Sequence, residues 1–278
     1  MPEAKRQRRN RGSPRAVAGP RRNGTPTQTR LIAVRVLERV ERAGAYADLA
    51  LHAALRRSHL VPAERALATE LVYGTLRWRG RLDFLLSRGL EREFATLEPL
   101  VVTLLRLGAY QIVFTRNVPD AAAVDQTVRC ARAVGAERAT GLVNGVLRRL
   151  ARIHQKIPLP ELTEDPLAHL TGVLSLPPWI AQRWLEIFDV EEAALLAKAS
   201  NSVPPLTARV NPLRSSRQAL IEELGPRLPD LRPCRFAPRG VVLGHRGHPA
   251  HDPAFLEGRF TNQDEASQLV VALLAAKP

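Results

Sequence analysis

The stretch Leu142-Val143-Asn144-Gly145-Val146-Leu147-Arg148-Arg149-Leu150-Ala151-Arg152 decides the first architectural question. Its apolar residues Leu142, Val143, Val146, Leu147 and Leu150 recur at intervals of three and four, which lines one face of a helix. Arg148, Arg149 and Arg152 fall on the wet side of the same helix. Upstream, the pattern repeats from about Glu98, with Val101, Leu104, Leu105, Gly108 and Ile112 at helical spacing; Gly108 within that stripe permits close helix approach. Between the two, Asn117-Val118-Pro119-Asp120 breaks the chain and Asp120 is placed to cap the next helix. Further back, Pro62 opens a helix carrying Leu67, Leu71, Thr75 and Trp78. The first helix bears Ala33, Val36, Leu37 and Val40, with Thr29 as its expected N-cap. Residues 29–156 therefore read as one all-helical bundle with short connections.

Outward from the bundle the composition changes. Residues 1–28 mix Arg, Gly, Pro, Asn and Thr with almost no large apolar side chain and read as a disordered basic tail. Ile157-Pro158-Leu159-Pro160 ends the helical pattern, so 157–170 is expected to be a linker. Residues 171–258 then read as a small α/β domain. It has helices at about 178–188 and 190–200, a strand over Leu206–Asn211, a helix near Ser216–Leu224 and strand material in two pieces over Arg235–Leu243. A final segment, 259–278, runs through Phe260-Thr261-Asn262-Gln263-Asp264-Glu265-Ala266-Ser267 into an apolar helix, Leu269–Ala276, with no following element to bury it.

The 278 residues carry a formal net charge of +14. Residues 1–30 hold nine basic side chains against Glu3, a balance of +8 that leaves +6 for the body. A polyanionic partner follows naturally, because each neutralised phosphate releases counterions. A solubilising tail explains the same charge. Arg35, Arg39 and Arg42 share one face of the first helix close to Arg30, and these four are the candidate RNA-binding residues. A solvated face partnered by Glu38 and Glu41 is the competing reading. No stretch approaches the roughly 20 apolar residues of a membrane span, and no apolar run follows the basic N-terminus to make a secretory signal. A cytoplasmic monomer without membrane contact is expected.

Catalytic signatures are missing: no Gly-rich phosphate loop, no Cys-x-x-Cys and no HExxH. His245, His248 and His251 recur every third residue, but Gly247 and Pro249 forbid a helix there and no metal site is expected. Cys130 reads as a small core residue, and Cys234 lacks a nearby base, so no catalytic residue is assigned. Trp78, Trp179 and Trp184 are expected to pack rather than to stack on bases. From these residues alone the chain is a basic, helical nucleic-acid-binding module joined to a small α/β module, with no reaction named.

Several stretches resemble the bacterial small-subunit rRNA cytosine-C5 methyltransferase family known as RsmB or Sun (Fmu). Glu70-Leu71-Val72-Tyr73-Gly74-Thr75-Leu76-Arg77, Gly108-Ala109-Tyr110-Gln111-Ile112 with Thr115-Arg116, and Gly141-Leu142-Val143-Asn144-Gly145-Val146-Leu147-Arg148 are similar to the NusB-like domain that opens that family. Pro177-Pro178-Trp179 and Arg209-Val210-Asn211-Pro212 look like its RNA-recognition-like α/β domain, and Gln263-Asp264-Glu265-Ala266-Ser267 resembles the motif leading into the methyltransferase core. The resemblance implies a multidomain protein: an all-α NusB-like bundle, a small RNA-recognition-like α/β domain and the first helix of a missing Rossmann-like methyltransferase domain. It implies RNA, small-subunit rRNA, as partner and S-adenosylmethionine as cofactor, with Gln263, Asp264 and Ser267 bordering the cofactor domain. In that family a cysteine thiolate adds to cytosine C6, making C5 nucleophilic toward the methyl group, and a second cysteine assists release. Neither Cys130 nor Cys234 matches those cysteines, so this chain alone is expected to be inactive. A stand-alone NusB-like RNA-binding or antitermination factor is the alternative, and a protein-binding adaptor a third.

Overall fold

The computed structural model describes residues 27–90, 93–244 and 252–274. The chain divides into two compact units, one running up to Asn201 and one from Ser202 onward. The expected disordered tail falls almost wholly outside the described residues, as do His245, His248 and His251.

The first unit opens with seven helices: α1 (Gln28–Ala43), α2 (Ala47–Arg56), α3 (Pro62–Arg77), α4 (Arg79–Gly89), α5 (Pro99–Phe114), α6 (Asp120–Ala133) and α7 (Thr140–Ile153). The most apolar of them, α5, sits in the middle and packs on α1, α3, α4, α6 and α7. Leu104, Leu105 and Leu107 are fully buried there, meeting Leu37 of α1, Leu71 of α3 and Leu147 and Leu150 of α7 in one continuous core. A Cβ added to Gly108 would run into the Leu147 side chain, which is the close approach the sequence anticipated.

Two helices, α2 and α4, carry no clear signal in the sequence. α2 is ten residues long and buries only Ala50, Leu51 and Leu55 along a short stripe. α4 follows α3 with Trp78 alone between them, so the two read as one continuous periodicity. Thr29 is not a cap: it is buried inside α1, and Thr27 holds the N-cap position, where its Oγ1 accepts a 3.1 Å hydrogen bond from Arg30 Nη1.

The segment expected to be a linker is docked. Ile157 and Leu159 pack against the bundle core. Leu162 and Leu167 join Leu170, Leu174 and Leu176 in a second apolar cluster with Ala181, Ala193, Ala194 and Ala197. This cluster is built from α8 (Pro166–Ala168), a π-helical turn (His169–Val173), α9 (Pro178–Ile187) and α10 (Val190–Ser200). Ser175, at φ 59°, turns its hydroxyl to accept hydrogen bonds from Gly80 N (2.8 Å) and Arg81 N (3.4 Å), and so caps the N-terminus of α4 from across the chain. A Cβ on Gly80 would lie 2.5 Å from the Thr171 carbonyl oxygen, so only glycine allows this contact. By buried contacts the first compact unit therefore runs on past the division expected at 170/171, as far as 201/202. The prolines mark a change of chain direction, whereas the boundary follows where buried contacts end.

The second unit holds β1 (Leu206–Val210), α11 (Arg217–Leu224), β2 (Arg232–Pro233), β3 (Gly240–Gly244), α12 (Pro253–Leu256), β4 (Phe260–Asn262) and α13 (Glu265–Leu274). Its sheet has the order β2-β3-β1-β4 with every pair antiparallel. Period-two alternation sends Ala208, Val210, Val241, Leu243 and Phe260 into one core with Leu220, Leu224 and Ala254. Ser216 caps α11 by accepting from Ala219 N at 3.1 Å. The division expected at 258/259 falls inside this sheet, because β4 pairs with β1 and Phe260 is core. On the other face, Leu269 of α13 packs with Cys234, Ala237 and Val242, while Val270, Val271, Leu273 and Leu274 stay exposed. Among the described residues no helix is long and apolar enough to cross a membrane.

Candidate nucleic-acid interface

The four arginines expected to meet RNA separate into two groups. Arg30 is buried at 8% exposure, and its Nε donates to Gln111 Oε1 at 2.6 Å, tying α1 to α5. It is a structural cation, and the RNA assignment does not hold for it. Arg30 lies about 140° around the helix from Arg35, which turns it toward the core. Arg35, Arg39 and Arg42 do share an exposed face. Arg42 pairs with Glu38 at 3.1 Å, whereas Glu41 is taken by Arg79 (3.0 Å) and Arg106 (3.1 Å). Among the described residues Arg35 and Arg39 have no carboxylate partner, so their charge faces solvent uncompensated.

A second basic surface lies between α6 and α7. A groove of about 540 Å³ is lined by Arg132, Arg148 and Arg152 together with Asn144, Asp120 and Asp125. Asn144, Arg148 and Arg152 recur every fourth residue and form one ridge of α7, where Arg148 Nε donates to Asn144 Oδ1 at 3.0 Å. Asp125 is neutralised by Arg129 at 2.8 Å, which leaves the groove positive. The sequence placed Arg148 and Arg152 on the wet side of α7. It missed Arg132, whose only local signal is a cation in the last turn of α6.

The tryptophans divide as well. Trp78 stacks on Phe114 with ring centroids 4.8 Å apart, and Trp184 packs in the second apolar cluster. Trp179, in the first turn of α9 after Pro177 and Pro178, is 71% exposed, contrary to the packing expected for it.

Burial pushes the Cys130 thiol up to about 12, and Cys234 is raised too, first by burial and then by the Glu265 charge. Neither side chain is poised as a thiolate.

The Gln263–Ser267 motif is a hinge between strand and helix. Gln263 N donates to the Thr207 carbonyl at 3.2 Å, and its own carbonyl accepts from Thr207 Oγ1 at 3.0 Å. Its side-chain Oε1 is buried without a partner. Asp264 Oδ1 turns back to its neighbour's amide, Glu265 N, at 2.8 Å, and Ser267 is exposed on the first turn of α13. An inward amide, a self-bonded carboxylate and one exposed hydroxyl do not by themselves hold a sulfonium nucleoside. The residue of this motif that sequence reasoning overlooked is Glu265. Its carboxylate accepts from the backbone N–H groups of Phe236 (2.5 Å) and Ala237 (2.9 Å), and these bonds hold it below the usual carboxylate range. With a depressed folded-state value, this anchor is complete above the ordinary glutamate range and is lost as pH falls through the folded value. Glu265→Ala is expected to speed hydrogen exchange at the Phe236 and Ala237 amides by about tenfold, the loss of roughly 1.4 kcal/mol of local protection, near the lower end of the range for bonds to a charged acceptor because the carboxylate is partly exposed. Unchanged exchange would show that the turn stands without α13.

Residues 27–152 match the NusB family, and residues 176–248 match the Methyltr_RsmF/B-like, ferredoxin-like domain. The chain is 32% identical over 251 residues to the probable ribosomal RNA small subunit methyltransferase B of Bacillus subtilis, covering 90% of this chain and 55% of that protein. It is 34% identical over 215 residues to the ribosomal RNA small subunit methyltransferase B of Pseudomonas putida, covering 77% of this chain and 48% of that protein. The chain thus spans about half the length of the relatives it matches. Its fold resembles the crystal structure of PH0851 with a TM-score of 0.64 at 17% identity, over 89% of this chain and 56% of that one.

Proposed function

Because the chain belongs to the RsmB/Sun family through its NusB and ferredoxin-like regions, we propose that it binds small-subunit ribosomal RNA and positions it for S-adenosylmethionine-dependent methylation at cytosine C5. The observation that carries this reading is the succession of a NusB match and an RsmF/B-type ferredoxin-like match in one chain. A stand-alone antitermination factor has no use for the second. In this reading the described residues bind and orient RNA in the cytoplasm. The methyl transfer is not assigned to Cys130 or Cys234, because both are buried with raised pKa values.

Uncompensated arginines on α1 and in the α6–α7 groove supply what such a role needs, a phosphate-tracking surface on a rigid bundle. Arg35, Arg39 and Arg42 reversed together to Glu should lower affinity for a small-subunit rRNA hairpin by at least about 100-fold at 0.1 M salt. The slope of log K against log salt should flatten by about 2.7, three contacts at 0.9 each. Fluorescence anisotropy over a salt series reads both. A folded triple variant with wild-type affinity would remove the α1 face from the site, and an Arg148→Glu/Arg152→Glu variant would then show whether the α6–α7 groove carries the binding.

A further inference from the structure

Nearly every described arginine of the second unit is engaged. Arg259 is held by Glu223 and Glu257, Arg227 by Asp252 at 3.2 Å, and Arg214 by the Glu257 carbonyl. Arg217 reaches the Ala237 carbonyl at 3.5 Å, Arg232 the Asp230 carbonyl at 3.4 Å, and Arg235 lies over the Phe236 ring at 4.9 Å. Arg209 and Arg239 are different: among the described residues neither has a hydrogen-bond acceptor, a carboxylate or a ring as partner. Both line one cavity of about 590 Å³, and no carboxylate lines it with them. The cavity lies at the end of the sheet where β1 finishes and β3 and β4 begin.

Its walls are built rather than incidental. Asn211 is committed to the wall: its Nδ2 donates to the Gly258 carbonyl at 3.0 Å, and its Oδ1 accepts from Leu213 N at 3.1 Å. That fixes the Pro212–Leu213 corner and leaves Leu213 92% exposed. Phe255 and Phe260, in edge-to-face contact at 5.6 Å, make the apolar lining rigid. Two unpaired guanidinium groups in a rigid, acid-free cavity repel each other until an anion arrives, and forked N–H donors suit phosphate oxygens. An exposed apolar corner beside them suits a ribose or base.

We propose that this cavity is a subsite for the backbone of single-stranded RNA, in which Arg209 and Arg239 take a phosphate and Pro212–Leu213 takes the adjoining nucleoside. The proposal rests on the reading of the chain as an RNA-binding protein and assigns a part of that binding to the sheet unit. An acidic peptide would satisfy the charges but leaves the apolar corner and the Thr261 hydroxyl at the cavity's edge without a use.

The test uses the full 278-residue chain and a fluorescein-labelled single-stranded RNA 12-mer of mixed pyrimidines, measured by anisotropy from 0.05 to 0.5 M salt. Arg209→Ala/Arg239→Ala should flatten the salt slope by about 1.4, two contacts at 0.7 each for a single strand. At 0.1 M salt that corresponds to a loss of roughly 25-fold. The thermal midpoint should move little, since among the described residues neither side chain makes a hydrogen bond, an ion pair or a ring contact. Leu213→Ala should lower affinity by about threefold without changing the slope. An unchanged slope and affinity in the double variant, with the wild type still binding, would overturn the subsite and leave the RNA reading intact. No binding of either the 12-mer or an rRNA hairpin by the wild type would overturn the RNA reading itself. Equal binding of an oligoglutamate of matched charge, lost in the same double variant, would make the cavity a peptide site and also overturn the proposal.

Discussion

Gly74→Ala should destabilise the helical bundle by about 3 kcal/mol in urea denaturation, although alanine is the better helix former by about 1 kcal/mol. A Cβ at this position would lie 2.1 Å from Tyr110 Cζ and 2.2 Å from its hydroxyl oxygen, a direct clash with the phenol. That ring has nowhere to go: Tyr110 is 4% exposed, stacks on Phe114 at 5.4 Å, and donates its hydroxyl to Glu70. Phe114 in turn is stacked against Trp78. Moving the ring costs overpacking of roughly 1–3 kcal/mol and a hydrogen bond to a charged group worth about 1.5–3 kcal/mol, which outweighs the propensity gain. The contact can be tested as a cause. In a Tyr110→Leu background the space opens, and Gly74→Ala should become neutral or stabilising by up to about 1 kcal/mol. An equal cost in both backgrounds would mean that the ring is not what excludes a side chain at Gly74.

This contact also explains what the family-like motifs record. Glu70, Gly74 and Tyr110 come from two separated stretches that resemble the NusB-like domain, and they touch one another. Gly108, from the second stretch, meets Leu147 from the third, and Gln111 holds Arg30. These residues encode helix packing, so they identify the bundle without marking an RNA site.

The bundle was legible in the sequence wherever a helix is long, whether one-sided as α1, α3 and α7 are or apolar nearly all round as α5 is. α2 and α4 were not, because ten residues give too short a stripe and one residue between α3 and α4 leaves no break in the period. The limits of the two compact units were illegible for a different reason. The Ser175 cap on α4 spans 95 positions and the Thr207–Gln263 bond spans 56, and such contacts leave no trace in local spacing. β4 is three residues long, below any alternation that could be read, and its Phe260 belongs to the sheet only through pairing with β1. At the candidate interface, helical phase correctly grouped Arg35, Arg39 and Arg42. Arg30 was grouped with them by proximity along the chain, and geometry put it inside. Arg209 and Arg239 stand out only once the partners of every neighbouring arginine are known.

Arg106→Met should cost about 3 kcal/mol of bundle stability, the lower end of the range for breaking a buried ion pair. Arg106 is a helix-interior cation on α5 whose side chain is 9% exposed. It grips Asp83 of α4 with two parallel bonds, Nε–Oδ1 at 2.7 Å and Nη2–Oδ2 at 2.8 Å, and reaches Glu41 of α1 at 3.1 Å. Arg79 closes the network on Glu41 at 3.0 Å, and the Phe94 ring lies 5.6 Å from the Arg106 guanidinium. Methionine fills much of the same volume, so the loss is chiefly electrostatic: two carboxylates remain where water reaches them incompletely. Because Asp83 is 31% exposed and Glu41 18%, solvent screens part of the damage, which sets the estimate low in the range. Arg106→Lys keeps the charge but not the fork and should cost about half as much. Combined with Asp83→Asn, Arg106→Met should show a coupling of at least about 1 kcal/mol, since the second change removes the charge that the first one strands. Strictly additive costs would mean that the network contributes packing alone. The same variants separate architecture from recognition: below its melting transition Arg106→Met should bind an rRNA hairpin as wild type does, because Arg35 and Arg39 lie on the far side of α1 from Glu41's partners. A loss of affinity in the folded variant would show instead that the ion-pair network sets the orientation of the α1 face toward RNA.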